Sequence, residues 1–316
     1  MSVYRLEELS MPALDALDRA RTLVILTVSP LEEHGPHLPL GVDAFTARYC
    51  AELIAERLVT ARPGWSVVFA PTLYLGSFTF EAVGTVSVRQ RVVRDAVVDY
   101  GHSLARGGFR YILVANGHAG PTHLTALDEA SAIVARRHRV TMASLSGHLA
   151  WAFRTGRFLG DVEGALRRPL TDAERKAFAE DAHGGWWETS MMLMLHPELV
   201  DEKYRDLPPA TYSLPARLRR NYPLRDGGQG YVGHPALADV DFAKATTEVL
   251  VNASLELVNG LLDGTIKAAQ RRSPFTLVPF FRTDFWRAAA GGAALAGAVL
   301  SVAALARHRR RHPRLS

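Results

Sequence analysis

The 316-residue chain has a single cysteine, Cys50, and cannot form an intrachain disulfide. A disulfide-held framework is therefore excluded, and a reducing, cytoplasmic compartment is expected. Lysine is nearly absent: Lys176, Lys203, Lys244 and Lys267 are four among 37 basic residues. The formal charge of +5 misleads, because residues 307–316 hold five arginines and no acid. Without that tail the body is formally neutral, so nucleic acid is not an expected partner. The N-terminus lacks a basic stretch followed by an apolar run, and no secretory signal is read there. No internal repeat is visible.

With 48% hydrophobic and 22% charged residues, the composition is that of a globular chain with a sizeable core. Apolar, β-branched runs at 22–29, 65–72, 111–115 and 140–146 predict buried strands. Stretches with apolar residues three and four apart predict helices at 45–58, 92–106 and 122–137. This alternation points to an α/β fold, with a mainly parallel sheet covered on both faces. In such sheets the site lies at the carboxyl ends of the strands. Residues 151–181 break the rhythm and read as a helical insertion or lid, with Thr171 and Glu174 forming a capping box for a helix at 172–180. Residues 201–229 read as a long loop over the site, and 239–262 as a last amphipathic helix.

The densest set of ligand-type side chains is SPLEEHGPHLPLGVD at 29–43, directly after the first strand. Glu32 and His34, two apart, leave an extended segment on the same side. Pro36, Pro39 and Gly41 turn the chain so that Asp43 returns toward them. Mixed carboxylate and imidazole donors suit zinc, manganese or iron, and carboxylate-bridged pairs of such ions are common hydrolytic centres. A proline-rich surface loop would have a similar composition. A second cluster, NGHAG at 116–120, follows the third strand and places His118 between glycines, where backbone and ligand approach closely. The third is DAHGGWWETS at 181–190, with His183 and Glu188 five apart at a helix start; there an acid also serves as a dipole partner. His102, His123, His148, His196 and His234 have no such context and are read as structural or surface residues.

Taken together, EEHGPHLPLGVD at 32–43, NGHAG at 116–120, HGGWWETS at 183–190 and GYVGHPALA at 230–238 resemble the creatininase (creatinine amidohydrolase) family over roughly residues 5–265. The resemblance implies a three-layer α/β/α fold, two divalent metal ions per chain and a homo-oligomer, usually a hexamer. Carried over by motif, Glu32, His34, Asp43, His118 and Glu188 match the metal ligands. Glu32 and His118 serve one ion, His34 and Glu188 the other, and Asp43 bridges. His183 matches the catalytic histidine. Gly84-Thr85 matches a Gly-Thr near the substrate, although Val83 stands where a proline is usual. Creatinine hydrolases carry Tyr-Glu directly after the metal histidine; here Ala119 and Gly120 stand there. The chain is therefore more similar to branches acting on formamides, peptide ends or lactams.

The expected activity is hydrolysis of a C–N bond in a small-molecule amide or peptide by metal-activated water, with His183 moving a proton to the leaving nitrogen. Glu33 and His37 are candidates to orient the ligands, and Trp186 and Trp187 to wall the pocket. Two rivals remain open: a catalytically silent, membrane-tethered metal-binding protein of the same fold, and a two-metal phosphoesterase. The second lacks basic phosphate-clamping residues beside the ligands. The expected organisation is a hydrolase domain at 1–268, a linker at 269–287, a transmembrane or interfacial helix at 288–306 and a basic tail at 307–316. The nineteen uncharged residues of 288–306 are long enough to span a bilayer, though ten are alanine and three glycine.

Overall fold

A computed structural model of the chain describes residues 2–311. Five strands form one wholly parallel sheet: β1 (Val3–Arg5), β2 (Thr22–Val28), β3 (Ser66–Leu73), β4 (Tyr111–Ala115) and β5 (Thr141–Ser144), in the order β1-β3-β2-β4-β5. Alternation along β2 decides the layers. Leu23 and Ile25 point to one face, which is covered by α2 (Val42–Ala61) and α10 (Val240–Leu262). Val24, Leu26 and Val28 point to the other, covered by α3 (Gln90–Arg106) and α4 (Pro121–His138). Because β2 is central and buried on both faces, its sequence TLVILTV is continuously apolar between its threonines. The fold is thus the expected α/β/α sandwich.

The remaining helices are α1 (Met11–Asp15), α5 (Ser146–Arg154), α6 (Leu159–Leu166), α7 (Asp172–Glu180), α8 (Trp186–Leu195), α9 (Leu214–Arg217) and α11 (Phe285–Arg311). The region at 151–181 is helical as expected, and both hydrogen bonds of the Thr171–Glu174 capping box form at α7. It packs on α8 and α10 through a separate core of Val162, Leu170, Ala177, Phe178, Trp186, Phe242 and Val249. Two elements depart from the sequence reading. The fourth strand stops at Ser144, and α5 begins at Ser146 where strand was expected. Helix α2 begins at Val42, so Asp43 lies in its first turn and not in a returning loop.

The segment read as a linker is held firmly to the body. Three 3-10 turns, Ala268–Arg271, Pro274–Leu277 and Pro279–Phe281, strap it along α4 and α3. Ser273 N donates to Asp128 Oδ2 at 2.8 Å, Thr283 N to Glu129 Oε1 at 3.3 Å, and Gln90 Nε2 to the Phe281 carbonyl at 2.7 Å. Arg94 pairs with Asp284, one residue before α11 begins. Of the basic tail read at 307–316, residues 312–316 lie outside the described residues.

Asp128, in the middle of α4 and 3% exposed, is the strap's buried acid. Burial pushes its carboxyl up to about 7, with Glu129 adding to the rise and the Ser273 N–H and Arg272 opposing it. The folded chain therefore binds this proton more tightly than the unfolded chain between about pH 4 and 7. The stabilisation is complete below pH ~4 and lost as pH rises through ~7. Asp128→Asn keeps an oxygen to accept from Ser273 N and removes the titration. Its melting temperature, relative to the parent, should rise between pH 5 and pH 8, by a differential on the order of 2 kcal/mol. Parallel thermal melts of the two proteins across that range check this.

Candidate metal centre and its surroundings

All six residues singled out from sequence converge beyond the carboxyl ends of β2 and β4. One oxygen or nitrogen from each of Glu32, Asp43 and His118 lies within 4.8 Å of the others, and the same holds for His34, His183 and Glu188. Asp43 joins the two trios. Its Oδ1 lies 3.6 Å from His34 Nε2 and its Oδ2 3.6 Å from His118 Nδ1. His34 Nε2 is also 3.6 Å from Glu188 Oε2, and His118 Nδ1 is 3.0 Å from Glu32 Oε2. These are the pairings that the motifs imply.

The hydrogen bonds fix which ring nitrogens face inward. His34 Nδ1 is 2.9 Å from the Glu32 carbonyl, and His118 Nε2 is 3.2 Å from the Ser77 carbonyl. A carbonyl only accepts, so each ring donates an N–H there and turns its other nitrogen toward carboxylates. Either a second ring proton or a metal ion satisfies that inward nitrogen. Consistent with that, Glu32 Oε2, His34 Nε2 and Asp43 Oδ2 are buried and find no hydrogen-bond partner among the described residues. Orphaned buried acceptors of this kind are costly. Five donors of mixed O and N type, with second nitrogens held by carbonyls, fit a pair of divalent transition ions.

The electrostatics agree. Burial opposes charge on His34, but Glu188 and Asp43 overcome it and raise the ring to about 10. His118, likewise opposed by burial, is raised to about 9 by Glu32 and Asp43. Burial would raise Asp43, yet His34 and His118 hold it at about 2. Burial raises Glu188. Three buried carboxylates thus demand positive charge, which protons or metal ions supply.

The backbone is shaped for these approaches. A Cβ on Gly117 would lie 2.3 Å from the Asp43 carbonyl oxygen, so only glycine lets the His118 loop reach α2. Gly184, at φ +56°, passes the His34 carbonyl, and its N–H donates to Glu188 Oε2. The motif at 230–238 lies alongside the third one: Val232 pairs antiparallel with His183. Gly230 lets Glu33 approach, and Gly233 lets Asp181 approach. Asp181 in turn accepts from Trp186 N at 2.7 Å and Trp187 N at 2.9 Å, capping the helix that carries Glu188.

His183 is closer to the centre than a group standing off it. Its ring lies 4.2 Å from that of His34, and its Nε2 donates to the Glu33 carbonyl at 2.7 Å. Phe80 meets it edge-on at 4.8 Å and donates its backbone N–H to Glu32 Oε1 at 2.6 Å. Tyr222, from the long loop, stacks edge-on against Phe80 at 5.3 Å, so that loop does reach over the site. Of the orienting candidates, Glu33 accepts from Gly35 N, and His37 Nε2 meets Thr189 Oγ1 at 2.8 Å. Thr85 accepts from Glu33 N at 3.0 Å and so braces the ligand loop.

Sequence reasoning missed a hub behind His118. Asn116 Oδ1 accepts from His118 N at 2.9 Å, lies 3.0 Å from His123 Nε2 and bonds Ser29 Oγ at 3.2 Å; its Nδ2 donates to the His118 carbonyl. His123, read as structural or surface, is buried there, seven residues along in α4. The two tryptophans divide. Trp186 is core, stacked on Phe242 at 3.9 Å, whereas Trp187 lines a cavity of about 220 Å³ that adjoins His118 and Glu188.

Known proteins resemble this chain in sequence and in fold. A mycofactocin precursor peptide peptidase of Mycolicibacterium smegmatis is 27% identical over 250 residues, covering 76% of this chain and 88% of that protein. A creatinine amidohydrolase of Pseudomonas putida is 27% identical over 192 residues, covering 60% and 71%. A solved mutant creatininase of Zn–Zn type superposes with a TM-score of 0.61 at 23% identity, covering 81% of this chain and 96% of that one. The family model for creatinine amidohydrolase matches residues 7–258, most of the length, and the chain belongs to the creatininase family.

Proposed function

We propose that the chain is a dinuclear metal amidohydrolase that cleaves a C–N bond of a small amide or peptide. Glu32, Asp43 and His118 would hold one divalent ion, and Asp43, His34 and Glu188 the other. The observation that carries this reading is Asp43, whose two oxygens face imidazole nitrogens of different trios at equal distance. Mixed O/N ligation fits zinc, manganese or iron. When bound, such a pair lowers the pKa of a shared water and polarises a carbonyl.

The chain's own residues do the rest. Water adds across the C–N bond: hydroxide goes to the carbonyl carbon and a proton to the departing nitrogen. His183, with Nε2 committed to the Glu33 carbonyl, has one nitrogen left to carry that proton. The carbonyl fixes its tautomer, and Phe80 and His34 fix its plane. Membership in a hydrolase family, with every ligand-type residue brought together, favours this over a silent binding protein. The test is elemental analysis of the purified full chain together with assay on formamides, simple amides and short peptides. About two metal equivalents per chain and metal-dependent hydrolysis are expected. Protein that stays metal-free after reconstitution would sink the reading.

The reading includes self-association, supported by family membership alone, and membrane attachment through α11. For the latter, Phe285–Ala304 has a mean hydropathy of 1.4 and none of it is buried. Exposed Leu277, Phe280 and Trp286 cluster near its start, where aromatic residues favour a bilayer interface. The full chain should partition into detergent or lipid on phase separation, and a chain ending at Asp284 should stay in water. Equal behaviour of both would remove the membrane from the reading.

A further inference from the structure

The cavity beside Glu188 and His118 has a character that the hydrolytic reading does not require. Its walls include Ile54 of α2, Leu113 of β4, Leu149 and Phe153 of α5, Trp187 of α8 and Leu250 of α10. The pocket, of about 220 Å³ and partly open to solvent, is lined mainly by apolar side chains, with Asn116, Arg154 and Asp181 among its polar ones. A largely apolar pocket beside the reactive cluster, bordered by His118 and Glu188, is the mark of a ligand chamber.

The side chain at 119 is only a methyl, and that at 120 is absent. A Cβ on Gly120 would lie 2.4 Å from His118 Nε2 and 3.1 Å from Phe78 Cβ, so this loop conformation has no room for a side chain there. The acid that creatinine hydrolases place after the metal histidine therefore has no counterpart in this loop.

We infer that the chamber seats a bulky apolar group, of leucine or phenylalanine size, joined to the scissile amide. The substrates are then hydrophobic amides or peptides, not small polar cyclic amides. This rests on the hydrolase reading and adds which amides are taken. Transfer of such a group from water into the chamber is worth about tenfold to a hundredfold in specificity. Cys50 also lines the chamber and, as the only thiol in the chain, reports on its occupancy.

The test uses metal-loaded, full-length protein and two matched pairs, N-formylphenylalanine against N-formylglycine and phenylalaninamide against glycinamide. These place the apolar group on either side of the bond. In at least one pair kcat/KM should favour the bulky member by about tenfold or more. Ala47→Leu, which pushes a larger side chain into the chamber, should collapse that ratio by a similar factor. Independently of turnover, and of whether that variant folds, phenylbutanamide should slow labelling of Cys50 by a small mercurial several-fold, and acetamide should not. Ratios near one in both pairs, with no protection of Cys50, overturn the inference. Hydrolysis with no preference for bulk refutes the chamber and leaves the hydrolase reading standing. Protection of Cys50 without hydrolysis of any amide does the reverse.

Discussion

Replacing Asp43 by alanine is expected to remove both metal ions together. Metal content should fall from about two equivalents to near zero, and hydrolysis by on the order of a thousandfold or more. The expectation comes from geometry: Oδ1 belongs with His34 and Oδ2 with His118, each at 3.6 Å. No other carboxylate among the described residues stands between the two trios in this way. Loss of the bridge leaves each trio with a single carboxylate, and the cations face each other without a shared anion to screen them. Glu32→Gln and Glu188→Gln are the contrast, since each belongs to one trio and should cost one equivalent. Elemental analysis of the three variants after dialysis distinguishes the outcomes. If Asp43→Ala keeps one equivalent at full occupancy, the carboxylate serves one ion and the bridging assignment is wrong.

The second large effect is expected at His183. His183→Ala should lower kcat by roughly a hundredfold to ten-thousandfold, the range for loss of a positioned acid–base group. Metal content should stay near two equivalents, because His34, Glu188 and Asp43 still hold their ion. KM should change little, since proton delivery matters in the transition state and not in ground-state binding. The geometry makes this a sharp test. His183 stands within the 4.8 Å trio of His34 and Glu188, close enough to be a ligand. If the alanine variant loses one equivalent, His183 is a ligand and the proton must travel by another group.

Much of this was legible in the sequence, for reasons that individual residues make clear. β2 and β4 were readable because a strand buried on both faces needs an unbroken apolar run. β1 was not, because a three-residue edge strand carries too little pattern, and α5 was not, because Leu145 separates it from β5 with no breaker between. The candidate site residues were readable because side chains that converge on one centre need rigid, close-approaching backbone, and glycine and proline leave that mark beside His34, His118 and His183. The Asn116 hub was hidden: its partners Ser29 and His123 come from a strand end and a helix, 87 and 7 residues away. No local pattern announces a contact made by tertiary packing. The same holds for the chamber, whose walls come from α2, β4, α5, α8 and α10 and are, one by one, ordinary core residues.

The strap over α3 and α4 leaves no slack. Its last anchor, Asp284 on Arg94, is followed at once by the first residue of α11. In a bilayer the hydrolase would hang on a short tether, because no free linker separates its last anchor from the helix. The site would then stay close to the lipid surface. A substrate confined to that surface would meet it by a search in two dimensions.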